Sequence, residues 1–250
     1  MKLCPECERP LKQLDPTDPG CTVAKCSCGW CGEFRYGLDE PRIPNPKPAL
    51  CYLSVDIETT GLDPETRQIL EIGAVYDDWT KPMRDLPRFH CYVVHKDILG
   101  DPYALALNAD TLRQFAGFQQ DCKNQPSLTR PVTAWPKFLQ PKEVAEAMAM
   151  WFGQLGFELN KSVTPAGKNF ASFDRQFLKR LPDFEKKVRL SHRTFDPAPY
   201  FVLPTDDKLP DTKTCYERAG MNPKVAHTAL EDALSVVQLL RVGVKRLRPC

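Results

Sequence analysis

Over residues 50–58, apolar and polar positions alternate with a period of two. In Leu50-Cys-Tyr-Leu-Ser-Val-Asp-Ile-Glu58, Tyr52, Ser54, Asp56 and Glu58 fall on one face of a strand and Leu53, Val55 and Ile57 on the other. Thr59-Thr-Gly-Leu-Asp-Pro64 has the composition of a turn. A second strand is expected over Gln68–Tyr76 and a third over Phe89–Val94, and their short connections predict an antiparallel meander. The period then changes to helical. Residues 142–155 put Val144, Met148, Trp151 and Leu155 on one stripe, the core face of an amphipathic helix. A short strand over 161–168, a helix over 172–181 and a helix over 229–242 follow, the last with Leu230, Leu234, Val237 and Leu240 marking its faces. Strands first, then helices alternating with a strand, predict an α/β domain built on a mixed sheet flanked by helices. Residues 121–141 carry Pro126, Pro131, Pro136 and Pro141 and read as a surface excursion.

The first 49 residues follow other rules. Of 11 cysteines in a chain of 250, six (Cys4, Cys7, Cys21, Cys26, Cys28 and Cys31) fall in the first 31 positions. An odd total with no apolar leader argues against a disulfide scaffold and for local metal binding. Cys4-Pro-Glu-Cys7 and Cys28-Gly-Trp-Cys31 are two CxxC turns with 20 residues between them. That spacing suits a tetrahedral Zn²⁺ held about 2.3 Å from four thiolates. Residues 1–37 therefore resemble a zinc ribbon, with Cys4, Cys7, Cys28 and Cys31 as ligands and Cys26 as an alternative to Cys28. So small a segment draws its folding energy from the metal. Residues 38–49, including DEPRIPNPKPA, form a proline-rich, extended linker, leaving 50–250 as the main domain.

Composition narrows the function classes only a little. Hydrophobic residues make up 42% and charged residues 26%, which excludes a globally disordered or low-complexity chain. No apolar run approaches the ~20 residues of a membrane span, and the expectation is a soluble, cytoplasmic protein. The net charge of +2 names no partner. Residues 1–40 hold five Lys/Arg against seven Asp/Glu, a poor balance for gripping phosphates, so docking to a protein partner is as good a role for the ribbon as nucleic-acid contact. Residues 168–193 hold eight Lys/Arg against three acids, as a phosphate-tracking rim would; a solvated helix face has the same look.

The chemistry lies in a scattered set of acids. Asp56 and Glu58 point to the same side of an otherwise apolar strand, where neighbouring carboxylates repel unless a cation bridges them; an exposed edge strand with both acids solvated is the alternative. Asp174 lies between apolar residues where a helix begins, as a third acid or as a helix-capping residue. His227 precedes Asp232 by five residues at the start of the last helix.

Taken in order, DIETTGL, ILEIGAV, NFASFD and AHTALEDAL resemble the DEDDh group of 3′–5′ exonucleases, which includes ribonuclease T, oligoribonuclease and polymerase proofreading subunits. The resemblance runs over nearly all of residues 50–242. It implies a ribonuclease H-like fold and a two-metal-ion hydrolysis of single-stranded DNA or RNA to nucleoside 5′-monophosphates. Asp56 would bridge two Mg²⁺ or Mn²⁺ ions, Glu58 and Asp232 would hold the water-activating ion, Asp174 would hold the other, and His227 would be the general base. Thr59 would approach the 3′-hydroxyl, and Leu62 would pack against the last base or, alternatively, serve as core. The partners implied are 3′ ends of single-stranded nucleic acid and a protein docked through the ribbon; a homodimer stays open. A proofreading or repair subunit, or a non-catalytic nucleic-acid-binding scaffold, are the alternative readings.

Overall fold

The computed structural model describes residues 51–124, 137–157, 161–222 and 228–246, together with the backbones of three short N-terminal strands. The chain divides into two units between residues 49 and 50. In the first, β1 (Lys12–Gln13), β2 (Cys21–Lys25) and β3 (Cys31–Arg35) form an antiparallel sheet in the order β1-β2-β3. Cys4, Cys7, Cys26 and Cys28, the side chain of Cys31 and the linker 38–49 lie outside the described residues.

In the larger unit, β4 (Tyr52–Thr59), β5 (Ile69–Asp77) and β6 (Arg88–Val93) form the expected antiparallel meander. Helices α1 (Pro102–Leu107) and α2 (Ala109–Asn124) come next, then β7 (Lys137–Leu139), α3 (Pro141–Gln154) and β8 (Thr164–Ala166). The chain continues through α4 (Asp174–Leu178), α5 (Phe184–Lys187), α6 (Thr212–Ala219) and α7 (Ala229–Arg246). The sheet order is β7-β6-β5-β4-β8, with β7 and β8 parallel to their neighbours.

Two expectations change. The excursion over 121–141 is narrower than its prolines suggest: α2 runs through Asn124, Lys137–Leu139 pair with Cys91–Val93, and Pro141 opens α3. Proline is tolerated there because a helix's first N–H groups have no internal partner. Nor is β4 an exposed edge. It lies between β5 and β8, and both of its faces are covered.

Each face of the sheet has its own core. Leu53, Val55, Ile57, Ile72 and Phe89 pack with Val144, Met148, Trp151 and Phe152 of α3. On the opposite face Tyr52, Val75 and Ala166 pack with Ala233, Val236, Val237 and Leu240 of α7. Burying such side chains contributes about 1.5–3 kcal/mol each. A polar lock fixes the C-terminal half of α7. Arg241 donates Nε and Nη2 to fully buried Asp77 at 2.9 and 2.6 Å, while the Tyr52 hydroxyl donates to the same carboxylate at 2.7 Å. Nearer its start, α7 accepts at the Ala233 carbonyl from Ser54 Oγ at 2.8 Å. Among the described residues no helix is long and apolar enough to cross a membrane.

Candidate metal centre

The site forms at the end of β4 because four separate local features converge there. The pleat of β4 aims Asp56 and Glu58 toward the face that α7 covers. Gly73 lies opposite Asp56 in the β4–β5 register. A Cβ at Gly73 would sit 2.2 Å from Leu230 N and 2.4 Å from Ala229 O, so the missing side chain is what lets the first turn of α7 rest on the sheet beside Asp56. Asp232 projects from that turn, where an acid is also favoured by the helix dipole. Carboxylate oxygens of Asp56, Glu58 and Asp232 lie within 4.8 Å of one another.

Asp174 approaches from the other side. Strand β8 pairs with β4 only up to Ser54, so the Ile57 N–H further along finds no strand on that edge. Asp174 Oδ1 accepts it at 3.2 Å, although the residues are 117 apart in sequence. Asp174 is buried at the first position of α4, and the N-cap is Phe173, so its carboxylate is spent on β4 and not on capping. It stands next to the three-acid group and does not belong to it.

Electrostatics set these acids apart from surface carboxylates. Burial, then repulsion from Asp174, Asp232, Glu58 and Glu71, holds the Asp56 carboxyl well above its ordinary range. Glu58 is pushed up to about 7 by burial, then by Glu71 and Asp232, against a hydrogen bond from Asn108 that favours the ionised form. Asp174 is likewise pushed up to about 7 by burial, against hydrogen bonds from its own N–H and that of Ile57. No cation of the described residues is among the groups that shift them. Neighbouring acids in a half-buried site repel one another and cost free energy unless a cation joins them, and an all-oxygen donor set suits a hard divalent ion. The residues present therefore fit such an ion.

A supporting layer lies beneath. Glu71 faces Glu58 across the β4–β5 register and is fully buried. His90 Nε2 lies 2.7 Å from Glu71 Oε1, and the Thr111 hydroxyl donates to Oε2 at 3.2 Å. Both oxygens are thus held, and Glu71 is kept as a neighbour of the cluster and not a member. Asn108, at the α1–α2 junction, donates Nδ2 to the carbonyls of Thr59 and Ala104 at 3.2 and 3.1 Å. None of these four residues was picked out by the sequence pattern. An acid inside the apolar run ILEIGAV was the available signal for Glu71; nothing local marks the others.

The remaining predicted positions divide. Thr59 is buried and its hydroxyl donates to the Gly61 carbonyl at 2.7 Å, shaping the turn after β4. Leu62 is 80% exposed, which removes the core alternative. His227 lies outside the described residues; Thr228, the residue after it, is placed beside the first turn of α7.

No family model matches the chain, and no curated protein matches it by sequence. Solved structures do. An exonuclease I from the moderately thermophilic Methylocaldum szegediense superposes with a TM-score of 0.53 at 17% identity, over 79% of this chain and 41% of that one. The zinc-bound complex of E. coli exonuclease I with single-stranded DNA gives 0.50 at 15% identity, over 79% and 41%. A product-bound exonuclease I gives 0.50 at 14% identity, over 80% and 45%. This chain spans less than half the length of those exonucleases. The main unit thus has the ribonuclease H-like fold of exonuclease I, a mixed five-stranded sheet flanked by helices, and in this chain an acidic cluster lies at the end of β4.

Proposed function

We propose that the chain is a divalent-cation-dependent 3′–5′ exonuclease of the DEDDh type, releasing nucleoside 5′-monophosphates from single-stranded DNA or RNA. The observation that carries this reading is the convergence of Asp56, Glu58 and Asp232 within 4.8 Å, with Asp174 hydrogen-bonded between the first two at Ile57. The single-stranded DNA held by the E. coli exonuclease I of similar fold supports the substrate class.

Asp56, Glu58, Asp174 and Asp232 would hold two Mg²⁺ or Mn²⁺ ions, which when bound supply charge neutralisation on the phosphate and a lowered pKa for the attacking water. Asp56 sits centrally, repelled by all three of the others, as a shared ligand would be. His227 would accept the proton of the attacking water, since a neutral imidazole titrates near working pH. Thr59 holds the turn that aims Leu62 outward, where Leu62 would meet the terminal base. The two CxxC turns would hold a structural Zn²⁺ and dock a protein partner; zinc content of full-length chain against a 1–37 deletion tests that metal.

The activity is tested with 5′-labelled single-stranded DNA and RNA in Mg²⁺ or Mn²⁺. A ladder shortening from the 3′ end, absent with chelator and in Asp56→Ala and His227→Ala, is expected. Inert wild-type protein that still binds the strands would replace this reading with a non-catalytic scaffold.

A further inference from the structure

Glu71 is an acid within reach of the metal centre that the centre does not use. It stands directly opposite Glu58 in the antiparallel β4–β5 pair, on the same face of the sheet, where such partners have Cβ atoms about 4.5–5.5 Å apart. A glutamate side chain spans that gap, yet among the described residues the group within 4.8 Å is Asp56, Glu58 and Asp232. A clamp on both of its oxygens keeps Glu71 out: His90 Nε2 lies 2.7 Å from Oε1, and the Thr111 hydroxyl donates to Oε2 at 3.2 Å. His90 reaches Glu71 diagonally. Its own partner across β5–β6 is Gly73, which has no side chain to block the lane, while Tyr92 is the direct partner of Glu71. The His90 ring meets Tyr92 edge-on, with centroids 5.2 Å apart, which fixes where Nε2 points. Glu71 is fully buried, so water does not replace a clamp contact that is lost. A carboxylate stripped of its donors at that depth needs a new partner, and the nearest one is the ion that its neighbours would hold.

Ligand count is what separates the hard divalent ions. Mg²⁺ keeps a near-octahedral shell at about 2.0–2.1 Å, holds on to several waters and takes one or two protein carboxylates. Mn²⁺ shares that octahedral oxygen preference. Ca²⁺ takes about 6–8 oxygens at about 2.3–2.6 Å and accepts bidentate acids. A fifth carboxylate beside Asp56, Glu58, Asp174 and Asp232 would therefore favour Ca²⁺. It would also fill positions that a hydrolytic centre leaves to water and phosphate. Resting on the metal-dependent reading above, we propose that His90 is a positioning residue for metal selectivity: by holding Glu71 away from Glu58, it keeps the donor set small enough for Mg²⁺ or Mn²⁺ and too small for Ca²⁺. Thr111 does the same at the other oxygen.

The test loads the full-length chain with Mn²⁺, adds Ca²⁺ or Mg²⁺ as competitor, and reads the released Mn²⁺ by its paramagnetic resonance signal. His90→Phe keeps a ring against Tyr92 and removes the donor. It should move the Ca²⁺-to-Mg²⁺ affinity ratio toward Ca²⁺ by about 10- to 100-fold, the range that outer partners of metal ligands command. His90→Gln, which returns an N–H donor to Glu71, should keep the wild-type ratio, and Glu71→Gln added to His90→Phe should abolish the shift. A merely loosened fold would weaken both ions together, and Glu71→Gln would not reverse it. An unchanged ratio in His90→Phe, or a shift that survives Glu71→Gln, overturns the proposal. If His90→Phe does not fold, Thr111→Val, which frees Oε2 alone, is read against the same two outcomes. Cleavage of a labelled strand separates this proposal from the nuclease reading. A wild type that shortens the strand while the ratio ignores His90 keeps the nuclease and discards the role of His90. A ratio that follows His90 and Glu71 in a protein that cleaves nothing does the reverse. No Mn²⁺ bound by the wild type overturns both.

Discussion

Adding one methyl group at Gly73 should dismantle the acid cluster without touching an acid. The new Cβ would lie 2.2 Å from Leu230 N, 2.3 Å from Ala229 C and 2.4 Å from Ala229 O, where ordinary contacts begin near 3.4 Å. All three are backbone atoms, so no side-chain rotation relieves them, and the first turn of α7 must lift by about 1 Å. Overpacking of this kind costs about 1–3 kcal/mol, which lowers Tm by roughly 3–10 °C in a domain of this size. Asp232 moves with the turn. Its oxygens leave the 4.8 Å group, and a misplacement of about 1 Å can cost ~10²-fold in rate. Gly117→Ala is the control: a Cβ there meets nothing within 4 Å, so α2 should gain about 0.5–1 kcal/mol with cleavage unchanged. Thermal melts and metal-dependent cleavage of a labelled single strand, run on all three proteins, give the answer. A Gly73→Ala protein that melts and cleaves like wild type would refute the packing argument.

Further outcomes follow from the charges. Glu58 and Asp174 are both pushed up to about 7, so the folded chain retains protons that the unfolded chain has released between about pH 4.5 and 7. Without metal, stability should therefore fall as pH rises through that window, by on the order of 5 kcal/mol for the two groups together, and level off above it; urea melts in EDTA at pH 5 and 7.5 check this, and greater stability at pH 7.5 contradicts it. Asp77→Ala strands the buried end of Arg241 and the Tyr52 hydroxyl, and should cost about 3–5 kcal/mol in urea unfolding; a loss below 1 kcal/mol would mean that α7 is held by its apolar face alone.

Much of this architecture is legible in the sequence because two regularities are strong. Period-two alternation marks β4, short apolar-rich runs mark β5 and β6, and the helical stripes of α3 and α7 are long enough to stand out. Asp56 and Glu58 are visible as acids in an apolar strand, and Asp174 and Asp232 as acids at helix starts. What the sequence hides is whatever depends on a partner far along the chain. The Ile57 N–H that captures Asp174 is a vacancy created by the early end of β8. Glu71 is caught by His90 from β6 and Thr111 from α2, at separations of 19 and 40 residues. Strand β7 has only three residues, too few for a period to register, and it hides behind prolines. Helix α1 has only six residues, too short for a helical stripe to register, and α2 is polar enough that no continuous stripe announces it, burying only Thr111 and Phe115.

The central claim is that these carboxylates share divalent cations, and calorimetric titration of the metal-free chain with Mn²⁺ reads it directly. Wild-type protein should take up about two Mn²⁺ ions in the micromolar-to-millimolar range, with protons released as Glu58 and Asp174 ionise. Asp56→Asn, which removes the carboxylate central to the group, should abolish that uptake and leave the metal-free protein at least as stable as wild type. Identical titrations for the two proteins, or no uptake by either, would contradict the account.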